Sequence, residues 1–266
     1  MIKELENFSA AQTLLLIKGN KAWDKELIKI IILELLLKRK LEIKDVDYQP
    51  HPRSKSRVLT MVMPGRNFVS QDLCEKYEYP FLKPFIKEPD SQIMFRQYLK
   101  ILSSNLKVGS SLKWHLLAME NPLVNYIKSD WFYAFLKVIK FNNKGLNLSF
   151  RAQEYFDKLN NELPKLVASN PEEAKEIIKQ LKSKIFLLPS VDFKIIRELH
   201  TALYPIDLDN YWGNSYAFYD FDLISDDFDS NYKDGGTSFW GGDSDSSGDG
   251  CSGCSGCSGC SGCGGE

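Results

Sequence analysis

Residues 21–43 read KAWDKELIKIIILELLLKRKLEI. Trp23, Leu27, Ile30, Ile31, Glu34 and Leu35 recur at spacings of three and four, the period of a helix with a wide apolar face. Such a face must pack against other elements. Lys38, Arg39 and Lys40 gather where a helix C-terminus favours cations. The chain then alternates through Leu41-Glu42-Ile43-Lys44. It crosses a polar loop containing Pro50 and Pro52 and returns as Arg57-Val58-Leu59-Thr60-Met61-Val62-Met63, which predicts a two-stranded ribbon. Upstream, Ser9 is placed to cap a short helix, Ala10 to Lys18, that Gly19-Asn20 terminates. Helix, helix and ribbon in that order predict a winged-helix-like unit over residues 1–70.

Further along, residues 77–90, YEYPFLKPFIKEPD, hold Pro80, Pro84 and Pro89 and predict a connector of extended character. Residues 91–118 return to helical spacing. A helix from Asp130 to Ile139, a turn at Asn142–Gly145, a short strand at Leu146–Leu148 and a helix from a capped Ser149 are expected next. Asn170-Pro171-Glu172-Glu173 opens a helix with a cap, a proline in the first turn and two acids, running to about Phe186. Pro189-Ser190 separates a last helix, Val191 to Leu203. The expected fold is mainly α: a helical body with one or two winged-helix-like units, in which residues 71–204 form a mainly helical second unit.

The overall charge of −1 conceals an asymmetry. Residues 1–204 carry 33 basic against 23 acidic residues, a charge of +10, whereas 205–266 carry Lys233 against 12 acids, a charge of −11. The two parts attract each other or compete for the same partners. Residues 205–240 mix aromatics and aspartates with no sustained period. From Gly241 onward only small, acidic and cysteine residues remain, so nothing offsets the entropy of ordering the chain and a disordered C-terminal tail is expected.

That tail contains CSGCSGCSGCSGC, residues 251–263. Cys251, Cys254, Cys257, Cys260 and Cys263 form successive Cys-x-x-Cys pairs, and the Ser-Gly spacer lets thiolates converge on a soft ion, Zn²⁺ or Cu(I). In an extended conformation with three residues per turn, the sulfurs project from one side about 9 Å apart. Neighbouring thiols also oxidise to disulfides. A third reading takes the Ser-Gly-Cys repeat as the core of a ribosomally made peptide whose Ser and Cys are cyclised or cross-linked.

Elsewhere, Lys38, Arg39 and Lys40 with Arg53, Lys55 and Arg57 on the wing would make a phosphate-contacting patch, the basis of a DNA-binding alternative. Against it, the recognition helix is apolar round most of its circumference, with Lys25 and Lys29 its only central cations. His51, His115 and His200 do not assemble into a site on paper. No Gly-rich phosphate loop, nucleophile elbow or His-Glu-x-x-His sequence is present. Cys74 reads as a buried, inert thiol. The start Met1-Ile2-Lys3-Glu4-Leu5-Glu6 lacks the basic and apolar regions of a secretory signal, and Leu27–Leu37, interrupted by Lys29 and Glu34, is far short of the ~20 apolar residues that span a bilayer. A cytoplasmic location is expected.

The stretch Leu14 to Gly19, the helix end Leu33 to Lys40 and the tail Cys251 to Gly265 together resemble a family of uncharacterised bacterial proteins. In that family a Leu-rich turn and Gly precede a helix ending in a basic residue and a small strand, and the chain ends in a Gly/Cys-rich tail. Many such proteins look membrane-anchored, a segment with no counterpart here, and the resemblance implies no known activity. The functional expectation is a non-enzymatic protein-binding module whose flexible tail presents thiols for metal or for modification. A small-molecule substrate is not expected. The alternatives are a DNA-binding winged-helix regulator and the precursor of a modified Ser/Cys peptide.

Overall fold

The computed structural model describes residues 2–49, 51, 53–68, 74–106, 111–128, 131–136, 138–189 and 228. Two short helices at its centre organise the rest. The first, α1 (Ala10–Lys18), opens on a capping box: the Gln12 N–H donates to Ser9 Oγ at 3.0 Å and the Ser9 N–H donates to Gln12 Oε1 at 3.2 Å. These bonds satisfy two of the donors that a helix start leaves open. Gly19, at φ +55°, ends it in the left-handed region. Residues 10–16 of α1 are all buried, Gln12 and Thr13 included. Gln12 Nε2 is satisfied by the Asn121 and Leu117 carbonyls at 3.2 and 3.4 Å, and Thr13 Oγ1 donates to the Ser9 carbonyl at 2.8 Å.

The second, α2 (Asp24–Leu37), is buried on every side from Ile30 to Leu37. The sequence predicts one wide apolar face; the structure uses the whole circumference, as expected of a helix that others surround. The Trp23 N–H donates to the Glu26 carboxylate, which also pairs with Lys18 at 2.6 Å, so α2 begins tied to the end of α1.

Past Leu37, Arg39 adopts φ +53°, with its N–H on the Leu36 carbonyl and the Lys40 N–H on the Leu35 carbonyl. This is a Schellman ending, with arginine where glycine is usual. It delivers the chain into β1 (Leu41–Tyr48), which pairs antiparallel with β2 (Arg57–Pro64) from Leu41↔Pro64 to Tyr48↔Arg57. Leu41, Ile43 and Val62 are buried at the base of the ribbon, and its far half is exposed. A two-residue β3 (Ile93–Met94) adds to β2, giving the order β1-β2-β3.

Residues 77–90 do not form the extended connector expected from their prolines: Tyr79–Ile86 is a helix, α3. Pro80 falls in its first turn, where the missing N–H has no intrahelical acceptor to lose, and Pro89 lies beyond its end, so only Pro84 removes a bond. Burial of Phe81, Leu82 and Phe85 outweighs that loss, and the Tyr98 hydroxyl donates to the Phe81 carbonyl at 3.0 Å. Helix α4 (Phe95–Leu106), a π-helical stretch (Ser111–Ala118), a 3₁₀ turn (Leu123–Tyr126) and α5 (Trp131–Leu136) follow. The Leu146–Leu148 strand is also corrected. Asn142, not Ser149, caps one long helix, α6 (Asn143–Ser169), through Asn142 Oδ1 accepting from the Gly145 N–H at 2.8 Å. Gly145 is no chain reversal; a Cβ there would lie 2.3 Å from the Tyr126 carbonyl oxygen. Leu148, Ala152, Phe156, Leu159 and Leu163 form the buried stripe of α6.

Asn170 ends α6 and caps α7 (Pro171–Leu181), which continues as a 3₁₀ segment, Lys182–Leu187, packed on both α1 and α2. One cluster of buried side chains runs from Leu5 to Leu188 and takes in Phe228, 1% exposed. The expected helix Val191–Leu203, the thiol tail and the rest of the acidic segment lie outside the described residues. The architecture is therefore mainly α with a small antiparallel sheet. Among the described residues no helix is long and apolar enough to cross a membrane.

The ribbon's return is locked to the end of α2. Gly65 N–H donates to the Lys40 carbonyl and Asn67 to the carbonyls of Arg39 and Lys38, all at 2.9–3.0 Å. A Cβ on Gly65 would sit 2.3 Å from the Arg39 carbonyl oxygen, which is backbone and cannot swing aside. Gly65→Ala should therefore cost roughly 2 kcal/mol or more. Urea unfolding measures it, and a loss below about 0.5 kcal/mol, the range of an innocuous surface change, would contradict the lock.

Candidate functional site

Glu34 interrupts the apolar run of α2 and is 2% exposed. Its Oε2 accepts from the Ala10 N–H at 3.3 Å, placing a carboxylate at the positive N-terminal end of α1. Its Oε1 accepts from the Tyr77 hydroxyl at 3.1 Å and from Lys38 Nζ, one turn on, at 2.8 Å. Lys38 in turn donates to Tyr77 at 3.2 Å and to Glu78 Oε1 at 3.0 Å. Glu78 is fully buried and takes its remaining bonds from Lys40 and from the Glu75 N–H at 3.2 Å. Glu34, Lys38, Glu78 and Lys40 thus alternate in sign and cancel.

The shifts follow from this chain of partners. Burial alone would raise the Glu78 carboxyl, but Lys38 and Lys40 outweigh it and hold the group below the usual carboxylate range. Burial would lower Lys38, yet Glu34, Tyr77 and Glu78 hold its ammonium above the ordinary lysine value. Tyr77 is pushed up by burial and then by Glu34.

Beside this cluster a pocket of about 390 Å³ opens between the start of α1, the end of α2 and the α7–3₁₀ junction. Glu34, Lys38 and Tyr77 form one wall, and Ser9 and Gln12 belong to the capping box. Lys179, Lys182, Ser183 and Lys184 also line it. Lys179 pairs with Glu176 at 2.7 Å. Lys182 is exposed at φ +52°. Lys184 is 3% exposed, and burial, with Lys182 and Lys38 nearby, brings its ammonium down to about 8 against the partial support of Glu34 and Glu6.

Of the residues singled out as phosphate contacts, Lys38 and Lys40 are committed to Glu34 and Glu78. Arg39 shapes the helix ending. Arg53, Lys55 and Arg57 are exposed at the far end of the ribbon, seven residue steps or about 23 Å along the strands from its base. The structure therefore separates the six cations into two groups. Cys251, Cys254, Cys257, Cys260 and Cys263 lie outside the described residues, as does His200; His51 is exposed in the ribbon loop. Cys74 is half-buried, its thiol pushed up by burial and then by Glu78, which disfavours the nucleophilic thiolate. Among the described residues no three His, Cys, Asp or Glu side chains group to hold a metal ion.

Glu34 carries a signal in the sequence as a lone acid inside an apolar run that must find partners, and Lys38 and Lys40 carry one as cations gathered at a helix end. Glu78 and Lys184 carry no such mark. No protein family, no curated protein and no solved structure matches the chain.

Glu78→Gln leaves Lys38 and Lys40 short of a counter-charge and should cost about 2–3 kcal/mol at pH 7. Because the folded value lies below 4.5, Glu78 contributes its full stability above pH 4.5 and loses it as pH falls through the folded value. Urea midpoints of wild type and variant should accordingly draw together below pH 4.5; a gap that stays constant down to pH 2.5 would contradict this assignment.

Proposed function

We propose that the chain is a non-enzymatic protein-binding module of bacterial type, winged-helix-like in its first unit, acting in the cytoplasm. Its tail cysteines, Cys251 to Cys263, present thiols to Zn²⁺ or Cu(I) or to modification. The observation that carries the binding role is an apolar surface offered on α5 and the start of α6. Phe135 is 76% exposed beside Trp131 and Leu136, and Phe150 is 71% exposed one turn after Leu146. The segments on either side of α5 are joined at the Ile127↔Phe141 bridge and by the Lys128 N–H to Lys140 carbonyl bond at 2.7 Å, just before α6 begins. Large apolar side chains placed at i and i+4 on successive helices are what a partner's apolar groove or helix buries.

The DNA-binding alternative is weakened by the ion pairs of Lys38 and Lys40, which leave Arg53, Lys55 and Arg57 as the exposed members of the patch. The winged-helix-like reading draws support from the order α1, α2, β1, β2 and from the projecting ribbon.

A photo-cross-linking amino acid at position 135 should capture a discrete protein adduct in cells, while the same group at Lys55 should not. Absence of an adduct at 135, or equal labelling at both, would overturn the binding role. Deleting residues 241–266 should leave the melting temperature of the body within error; a lower value would show that the thiol tail is part of the packed interior.

A further inference from the structure

We propose that the pocket between the N-terminus of α1 and the Lys182–Leu187 segment binds a small molecule through a phosphate or carboxylate group, with Lys184 as its counter-ion and Lys182 at its mouth. This site is separate from the apolar surface of α5 and α6, and neither proposal requires the other.

The buried charges around the pocket are not balanced. Glu34, a buried acid of this pocket, bonds other partners: Oε2 accepts from the Ala10 N–H and Oε1 from Tyr77 and Lys38. Glu78 is likewise consumed by Lys38, Lys40 and the Glu75 N–H. Lys184, buried to 97%, makes neither an ion pair nor a hydrogen bond with any described residue, yet it lines open space. An ammonium in that state needs an anion, since burial without a partner is among the costliest arrangements a fold can hold. At pH 7 a value of about 8 leaves it mostly protonated.

The surroundings suit an oxoanion. Lys182 adds a second cation that makes no ion pair among the described residues, and Ser9, Asn7, Asn121 and Ser183 add neutral hydrogen-bonding groups. Glu6 and Glu75 stand at the exposed side. They oppose a large polyanion and restrict the ligand's negative charge to the Lys184 end. A volume of about 390 Å³ lies in the range of small-ligand sites, ~300–1,000 Å³.

Titration calorimetry of the full chain with inorganic phosphate and with acetate, at ionic strength held constant with sodium chloride, tests the site. At least one probe should bind saturably, and the tighter of the two names the headgroup. Lys184→Met should weaken binding at least tenfold without lowering the melting temperature of the ligand-free protein, because it replaces a buried charge by an apolar side chain of similar length. Lys182→Met should weaken it two- to threefold. A second lever needs no variant: raising the pH from 7 to 9 should weaken a bound acetate about tenfold in the wild type, since acetate keeps its charge while Lys184 loses its own and Lys182 does not depend on the same step. If phosphate is the ligand, the same pH series with sulfate, an oxoanion whose charge does not change between pH 7 and 9, serves. Binding of neither probe, binding that survives Lys184→Met, or an affinity unchanged between pH 7 and 9 would each overturn the proposal.

Discussion

Glu34 is the joint on which the described fold turns. Its two oxygens reach the first N–H of α1, the hydroxyl of Tyr77 and the ammonium of Lys38, so one carboxylate fixes the start of one central helix, the end of the other and the segment that leads into α3. Taking a carboxylate out of water costs several kcal/mol, and the cost is offset only if every lone pair finds a donor of the right sign. That condition restricts α1 to one axial position relative to α2, since the next residue along α1 would present its N–H a turn's fraction away. Apolar contacts alone would let the two helices slide over each other. Polar burial here acts as a registration device, and Glu78 repeats it one layer out by joining Lys38 and Lys40 to the start of α3.

What the sequence disclosed and what it hid divide along a physical line. Ser9, Gly19 and Asn170 act within four residues of themselves, so their caps and stops were legible from local chemistry. The ribbon was legible too, because alternation and a polar loop are properties of the strand itself. Pro80 and Pro84 misled because proline reads as a breaker; Pro80 lies in the first turn, where a helix has no bond to break, and the bond lost at Pro84 is outweighed by burial of Phe81, Leu82 and Phe85. Gly145 misled for the opposite reason. Its lack of a side chain answers the Tyr126 carbonyl, a neighbour 19 positions away, and no local pattern reports such an approach.

The same line explains the site. A run of cations at a helix end resembles a phosphate grip until their acids are known, and Glu78 lies about forty positions from Lys38 and Lys40. Lys184 sits in a basic, unremarkable stretch, and its burial follows from the turn that carries the chain from α7 back across α1 and α2. Phe135 and Phe150 stand largely exposed although an aromatic at helical spacing is normally inside. Phe228 runs the other way. Flanked in sequence by Asp226, Asp227 and Asp229, it nonetheless reaches the common core.

Lys38 and Lys184 line the same pocket in unlike settings. Lys38, half-buried, is bonded by two acids and a phenol. Lys184 is more deeply buried and bonds none of these, with Glu34 and Glu6 acting on it only through space. Were the position only a filler between α1 and α2, leucine or methionine would occupy the same volume without desolvating a charge, and replacing buried ionic groups by apolar ones of similar size is commonly stabilising. The amine is thus a cost that packing does not explain. It lines a cavity rather than a closed interior, so the missing counter-charge has a route in, and the cost becomes affinity for whatever anion takes it.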